Sequence, residues 1–343
     1  MKQLRRLLMV VLSVGFASLG AAPMVEAYGS YKQTTVAANT NACTDPIKTG
    51  LEQGSDLQFN FDYVDQCTRS HDSVTSNVNP STTQQTQPSG GQGANGNTVN
   101  LYAALGDSVA AGLGLPQSSD SDPACGVSAQ AYPDYIAGSL GLSYMKLACS
   151  GATAGDLVTE QHLSGTSRDL EPQLDRAFAY GTPQVITITA GANDLYWQTY
   201  ARKCYVSTCG TDTDQAVVDS LRSVLALKLA YALQTIQNRS AGSPPRVVLT
   251  GYYQPFSMEC AAQQTSVTST EVNWLNTQLR ALNQTIANEV SAYAFAHYAP
   301  VDFSGHELCT VQSWVQGLDD PAPLHPTADG QWAIANAILP YIR

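Results

Sequence analysis

From residue 98 to the carboxyl end, short runs rich in aliphatic and β-branched residues alternate with longer stretches of helical periodicity. This alternation limits the fold more than any other feature of the chain. Residues 98–104, 142–148, 185–190, 247–251 and 299–303 read as five strands. Between them, 214–238 is an Ala- and Leu-rich helix. In 271–293, Val272, Leu275, Leu279, Leu282, Ile286 and Val290 recur at three- and four-residue steps, which makes one apolar helix face. A last helix follows the N-cap candidate Thr327 and runs to 339. Strands separated by helices pair in parallel, and a parallel sheet needs cover on both faces. The predicted architecture is therefore α/β, a three-layer α/β/α domain on a five-stranded parallel, flavodoxin-like sheet. A chain of 343 residues, 43% hydrophobic and only 13% charged, has the apolar content for such a core.

The first hundred residues read differently. Lys2, Arg5 and Arg6 precede an apolar run from Leu7 to Leu19 that ends in small residues, so 1–27 is predicted to be a secretory signal. That run is shorter than the roughly 20 residues a membrane span needs, and no transmembrane span is expected in the mature chain. Residues 28–72 are polar, carry Cys43 and Cys67, and are read as a small N-terminal extension with one disulfide. Residues 73–99 collapse to Ser, Thr, Gln, Asn, Pro and Gly, a low-complexity linker, which leaves 100–343 as the main domain. Seventeen basic against 28 acidic residues give a net charge of −11, with no electrostatic footprint for nucleic acid. Eight cysteines in a chain predicted to be secreted favour disulfides over metal sites. The protein is expected to be extracellular and to act as a monomer.

In an open parallel sheet the loops leaving the carboxyl ends of the strands gather on one edge, where ligands bind. The first such loop holds Gly106, Asp107 and Ser108; the second holds Ser150 and Gly151; the third holds Gly191, Ala192, Asn193 and Asp194. His325 and Pro326 stand just ahead of the last helix. A nucleophile, a base and neutral hydrogen-bond donors are the parts of an acyl-transfer site. No HExxH pattern, Cys-x-x-Cys pair or phosphate-cradling Lys loop is present, and neither metal nor cofactor is expected.

Taken in order, Gly106 to Ser108, Gly151, Gly191 to Asp194 and His325-Pro326 resemble the four blocks of the SGNH, or GDSL, hydrolase family, most closely its secreted actinobacterial lipase and esterase branch. The resemblance runs from Leu101 to the carboxyl end. It implies a serine esterase or lipase acting on acyl esters, either lipid esters or O-acyl groups on polysaccharide. Ser108 would be the nucleophile and His325 the general base, with an oxyanion hole from the N–H groups of Ser108 and Gly151 and the side-chain amide of Asn193. The family's aspartate three residues before the histidine is replaced here by Ala322. Relatives that work as a dyad imply that the Ala322 backbone carbonyl orients His325, in preference to Asp319 or Asp320. The same branch implies the disulfides Cys125–Cys149, Cys204–Cys209 and Cys260–Cys309, which leaves Cys43 with Cys67.

Other readings compete at single residues. His71, His162 and His297 are placed at the edge of the linker, in a polar loop and at a helix end, and His306 is read as structural. Asp107 and Asp194 are expected to hydrogen-bond within their own loops. Tyr196, Trp197, Trp314 and Leu324 are candidates for an acyl pocket. The rival from another class is a catalytically silent binding or adhesion module on the same fold, which would have no physical need to retain Ser108, Gly151, Asn193 and His325 together.

Overall fold

A computed structural model of the chain describes residues 98–342, apart from 120, 165, 241 and 259–266. The predicted signal and extension, nearly all of the linker, and Cys43, Cys67 and Cys260 lie outside the described residues. In chain order the elements are β1 (Thr98–Gly106), α1 (Ser108–Ala111), α2 (Tyr132–Leu140), β2 (Ser143–Lys146), β3 (Gln161–His162), β4 (Asp169–Leu170) and α3 (Gln173–Ala177). They continue with β5 (Thr182–Thr189), α4 (Trp197–Val206), α5 (Asp212–Arg239), β6 (Arg246–Thr250), α6 (Ser269–Ser291), β7 (Ala296–Ala299) and α7 (Ala328–Ile338). Strand β1 thus starts two residues inside the stretch read as linker.

Five strands form the predicted parallel sheet in the order β2-β1-β5-β6-β7. The order reverses between β1 and β5, so the loops after these two strands flank the crevice where such sheets bind ligands. Helices α5 and α6 start where their sequences cap them. Thr211 with Asp214, and Thr268 with Glu271, form reciprocal capping boxes. The predicted apolar face of α6 is buried throughout. Thr327 caps α7, its side chain accepting from the Gly330 N–H.

The fifth strand is Ala296–Ala299 rather than the predicted 299–303. Pro300 follows at once and has no N–H for a ladder, so the chain leaves the sheet there. Val301 and Phe303, whose apolar character made 299–303 look like a strand, are buried in the loop beyond, where Phe303 stacks on Tyr253 at 4.2 Å between ring centroids.

The sheet's centre holds polar groups that satisfy one another. Tyr102 Oη pairs with Thr187 Oγ1 at 2.7 Å, Tyr132 Oη with Thr189 Oγ1 at 3.0 Å, and Thr189 Oγ1 with Thr250 Oγ1 at 2.7 Å. At the end of β1, Gly106 has φ +128°, and a Cβ there would lie 2.1 Å from the Thr189 carbonyl oxygen, so no other residue fits. Gln173, on α3, clamps this glycine from both sides. Its Oε1 accepts the Gly106 N–H at 2.7 Å and its Nε2 donates to the Gly106 carbonyl at 3.0 Å.

Cys125–Cys149 and Cys204–Cys209 are bonded as the family resemblance implied. Cys309 is also disulfide-bonded. Replacing Gln173 by Ala strands the buried Gly106 N–H. Urea denaturation should show a loss of about 1–3 kcal/mol, the range for an unsatisfied buried amide; an unchanged midpoint would mean that the clamp carries no stability.

Candidate active site

Ser108 opens a one-turn helix directly after Gly106 and Asp107. Asp107 caps that turn, its Oδ1 accepting the Val109 N–H at 2.9 Å, while its own N–H donates to the Thr189 carbonyl at 2.9 Å. The amides on either side of Ser108 are therefore engaged, and the Ser108 N–H has no partner among the described residues. Gly151 repeats the pattern. Ser150 N–H donates to the Cys125 carbonyl (3.1 Å) and Ala152 N–H to the Cys149 carbonyl (3.1 Å), while the Gly151 N–H meets no described acceptor. Its φ of +81° is what calls for glycine there, since a Cβ would find open space. Asn193 Nδ2 donates one hydrogen to the Ala152 carbonyl at 2.8 Å, which fixes the amide plane and leaves its second hydrogen free of that bond.

His325 Nε2 lies 2.8 Å from Ser108 Oγ, and His325 Nδ1 lies 3.2 Å from the Pro323 carbonyl oxygen. A carbonyl only accepts, so Nδ1 carries the ring proton and Nε2 presents a lone pair to the serine hydroxyl. Burial pushes the His325 pKa below its usual 6.5, partly offset by the Pro323 and Ala322 carbonyls. The imidazole is therefore neutral at neutral pH and free to take a proton.

Two backbone carbonyls act on the ring, those of Pro323 and of the expected Ala322. Pro323, one residue past Ala322, supplies the Nδ1 acceptor, while the Ala322 carbonyl accepts the backbone N–H of His325 at 3.2 Å. Leu324, between Pro323 and the histidine, has φ +68°, unusual for a side chain larger than glycine's, and its carbonyl accepts from Tyr253 Oη at 2.7 Å. Asp319 and Asp320 are exposed, and Asp320 Oδ2 accepts the Gly317 N–H at 2.6 Å; among the described residues neither bonds to His325.

Ser108, Asn193 and His325 line one narrow cleft that opens to solvent, together with Trp197, Leu279 and Leu324. Tyr252, Tyr253, Pro255 and Gln198 complete much of its wall. Of the four pocket candidates, Trp197 and Leu324 are there, while Tyr196 and Trp314 are not. Tyr196 is exposed, and Trp314 stacks flat on His306 at 3.6 Å and edge-on against Phe303. Tyr252, Tyr253, Pro255 and Leu279 escaped the sequence reading because they follow β6 or sit mid-helix, with no motif around them. The signal that marks them is topological, since the loop after β6 belongs to the same sheet edge.

Two carboxylates reach further than their own loops. Asp107 Oδ2 accepts from Tyr252 Oη at 2.6 Å, and burial raises its pKa to about 7. Asp194 is buried against Lys228 Nζ at 3.1 Å and accepts the Ala154 N–H at 2.8 Å. Burial raises its pKa while Lys228 opposes the shift. His162 pairs with Asp169 across β3 and β4, and His297 lies in β7.

Residues 104–333 match the model of the GDSL-like Lipase/Acylhydrolase family. The chain belongs to that family. As a GDSL acylhydrolase it is a carboxylic ester hydrolase. It is similar to "Lipase" of Streptomyces rimosus, 27% identical over 67% of this chain and 82% of that protein. It is also similar to "Lipase 1" of Streptomyces coelicolor, 29% identical over 73% and 86%. The crystal structure of an extracellular lipase from Streptomyces rimosus superposes with a TM-score of 0.57 at 25% identity, covering 71% of this chain and 98% of that one.

For this hydrolase, kcat/KM should fall on acidification with a midpoint below pH 6.5. A histidine base works only when neutral, and burial lowers the proton affinity of His325. A midpoint above 6.5 would put a carboxylate beside the ring. The double variant Asp319→Asn, Asp320→Asn should keep kcat close to the parent's; a loss as deep as that of Ser108→Ala would make one of them the orienting group.

Proposed function

We propose that the chain is a secreted lipase or esterase that hydrolyses acyl esters through a covalent Ser108 intermediate. The 2.8 Å contact between Ser108 Oγ and the lone pair of His325 Nε2, at the wall of an apolar cleft, carries this reading. Ser108 Oγ attacks the ester carbonyl as His325 takes its proton, and the imidazolium returns that proton to the departing alcohol. Water, deprotonated by the same imidazole, then releases the acid and restores the serine. The carbonyl oxygen becomes an oxyanion between the Ser108 and Gly151 N–H groups and the free hydrogen of Asn193 Nδ2.

The orienting Pro323 carbonyl fixes the tautomer, so the site works as a dyad. A cleft walled by Trp197, Leu279, Tyr253 and Leu324 favours a hydrocarbon acyl chain over acetate, and the curated relatives' own names, both lipases, point the same way. The basic and apolar amino-terminal run and the disulfides fit an oxidising compartment outside the cell. Among the described residues no helix is long and apolar enough to cross a membrane.

A chain-length series of p-nitrophenyl esters tests the reading. Turnover should rise from acetate to medium-chain esters, and Ser108→Ala should lose about 10⁴-fold or more. Asn193→Ala should lower kcat about 10²-fold, the cost of one oxyanion donor. Preference for acetate would make this an acetylesterase, and silence on every ester a binding module.

A further inference from the structure

Outside the dyad and its hydrogen-bond donors, the cleft wall contains a buried tyrosine whose hydroxyl is engaged on two sides. Tyr252 is 5% exposed and follows β6. Its hydroxyl donates to Asp107 Oδ2 at 2.6 Å and accepts the Ala192 N–H at 3.2 Å. These directions are fixed while Asp107 is ionised. A backbone N–H can only donate, so the phenol must accept from Ala192, and its single proton is committed to Asp107. Burial holds the Tyr252 pKa far above its usual range, so that proton stays in place.

The two partners are the residues immediately before Ser108 and Asn193. One oxygen atom therefore ties the turn that aims the nucleophile to the loop that aims the side-chain oxyanion donor, and these loops leave different strands, β1 and β5. The tyrosine is itself anchored from α6. Asn283 Oδ1 accepts the Tyr252 N–H at 2.7 Å and Asn283 Nδ2 donates to the Tyr252 carbonyl at 2.7 Å. A helix on the face of the sheet thus fixes the backbone, the backbone fixes the phenol, and the phenol fixes both loops.

We infer that Tyr252 is a positioning residue for ester hydrolysis, setting the distance between the Ser108 hydroxyl and the Asn193 amide through Asp107 and Ala192. This rests on the reading of Asn193 as an oxyanion donor. Its consequence is kinetic. The relative placement of nucleophile and donor matters when charge develops on the carbonyl oxygen, so the hydroxyl should act on kcat and leave ground-state binding nearly untouched. Tyr252→Phe keeps the ring that lines the cleft and removes only the link.

The test is a double-mutant cycle on the full chain with a medium-chain p-nitrophenyl ester. Tyr252→Phe should lower kcat about tenfold, a scale that small misplacements of reacting groups reach, with KM within about twofold of wild type. In an Asn193→Ala background the same substitution should lower kcat by less than about threefold, because the group it positions is already gone. Wild-type kcat in Tyr252→Phe, or an undiminished tenfold loss in the Asn193→Ala background, overturns the assignment. If Asn193→Ala alone keeps wild-type kcat, the oxyanion reading fails and this role with it; if Asn193→Ala is impaired and Tyr252→Phe is not, only the positioning role fails. Should Tyr252→Phe not fold, Asn283→Ala, outside the cleft lining, decides. A loss confined to kcat is expected, and wild-type kcat would overturn the role.

Discussion

The hydrogen bond between Ser108 and His325 joins residues 217 positions apart, and its 2.8 Å length exists only because two loops from opposite ends of the domain are held in register. Three buried glutamines do much of that holding. Gln173 clamps Gly106 at the end of β1. Gln331, on α7, accepts the Tyr132 N–H at 2.8 Å and donates to the Val109 carbonyl at 2.9 Å, which docks the last helix onto the turn that carries Ser108. Gln316 donates to the carbonyls of Leu113 (2.8 Å) and Pro326 (2.9 Å), one on each side of the Ser108–His325 contact. A primary amide offers donor and acceptor from one neutral group, so it can satisfy buried backbone at two points without desolvating a charge. A chain with 13% charged residues builds its site on such groups.

Helices α5, α6 and α7 and four of the five sheet strands were legible because each is a local pattern: a cap, a 3.6-residue repeat, a β-branched run; α1 to α4 were not predicted. The fifth strand was misplaced by three residues at its start, because apolar Val301 and Phe303 are buried for tertiary reasons after Pro300 has ended the ladder. Ser108, Asn193 and His325, to which the proposed roles fall, stood out as motifs where a strand ends or a helix begins, and the structure brings them to one cleft. What surrounds them was not legible. That the Pro323 carbonyl faces Nδ1, and that Leu324 takes a positive φ, is announced by no residue type. Trp314 looked available for the cleft but stacks on His306, and Tyr252 and Leu279 line it from segments with no motif. Backbone conformation at single residues and side-chain direction across elements are settled by packing, and composition does not record them.

Burial acts on the two titratable groups flanking the serine in opposite directions on the pH scale and to the same end. It lowers the proton affinity of His325 and raises that of Asp107, so each is moved toward its neutral form. Among the described residues no carboxylate bonds to the imidazole, and the Pro323 carbonyl faces Nδ1 instead. A carbonyl contributes a fixed dipole and no full charge, so it stabilises a developing imidazolium less than an aspartate would. It also leaves the ring neutral over a wider acid range. On the other side, an ionised Asp107 next to Ser108 would oppose an oxyanion; a pKa of about 7 keeps a share of it protonated near neutrality, and the Tyr252 hydroxyl limits how far its remaining charge projects. Both shifts reduce the charge of the resting site, and in the proposed acyl transfer full charges appear only as the reaction proceeds. That is where oriented amides and carbonyls inside a low-dielectric cleft act most strongly, because they need not reorient when the charge forms.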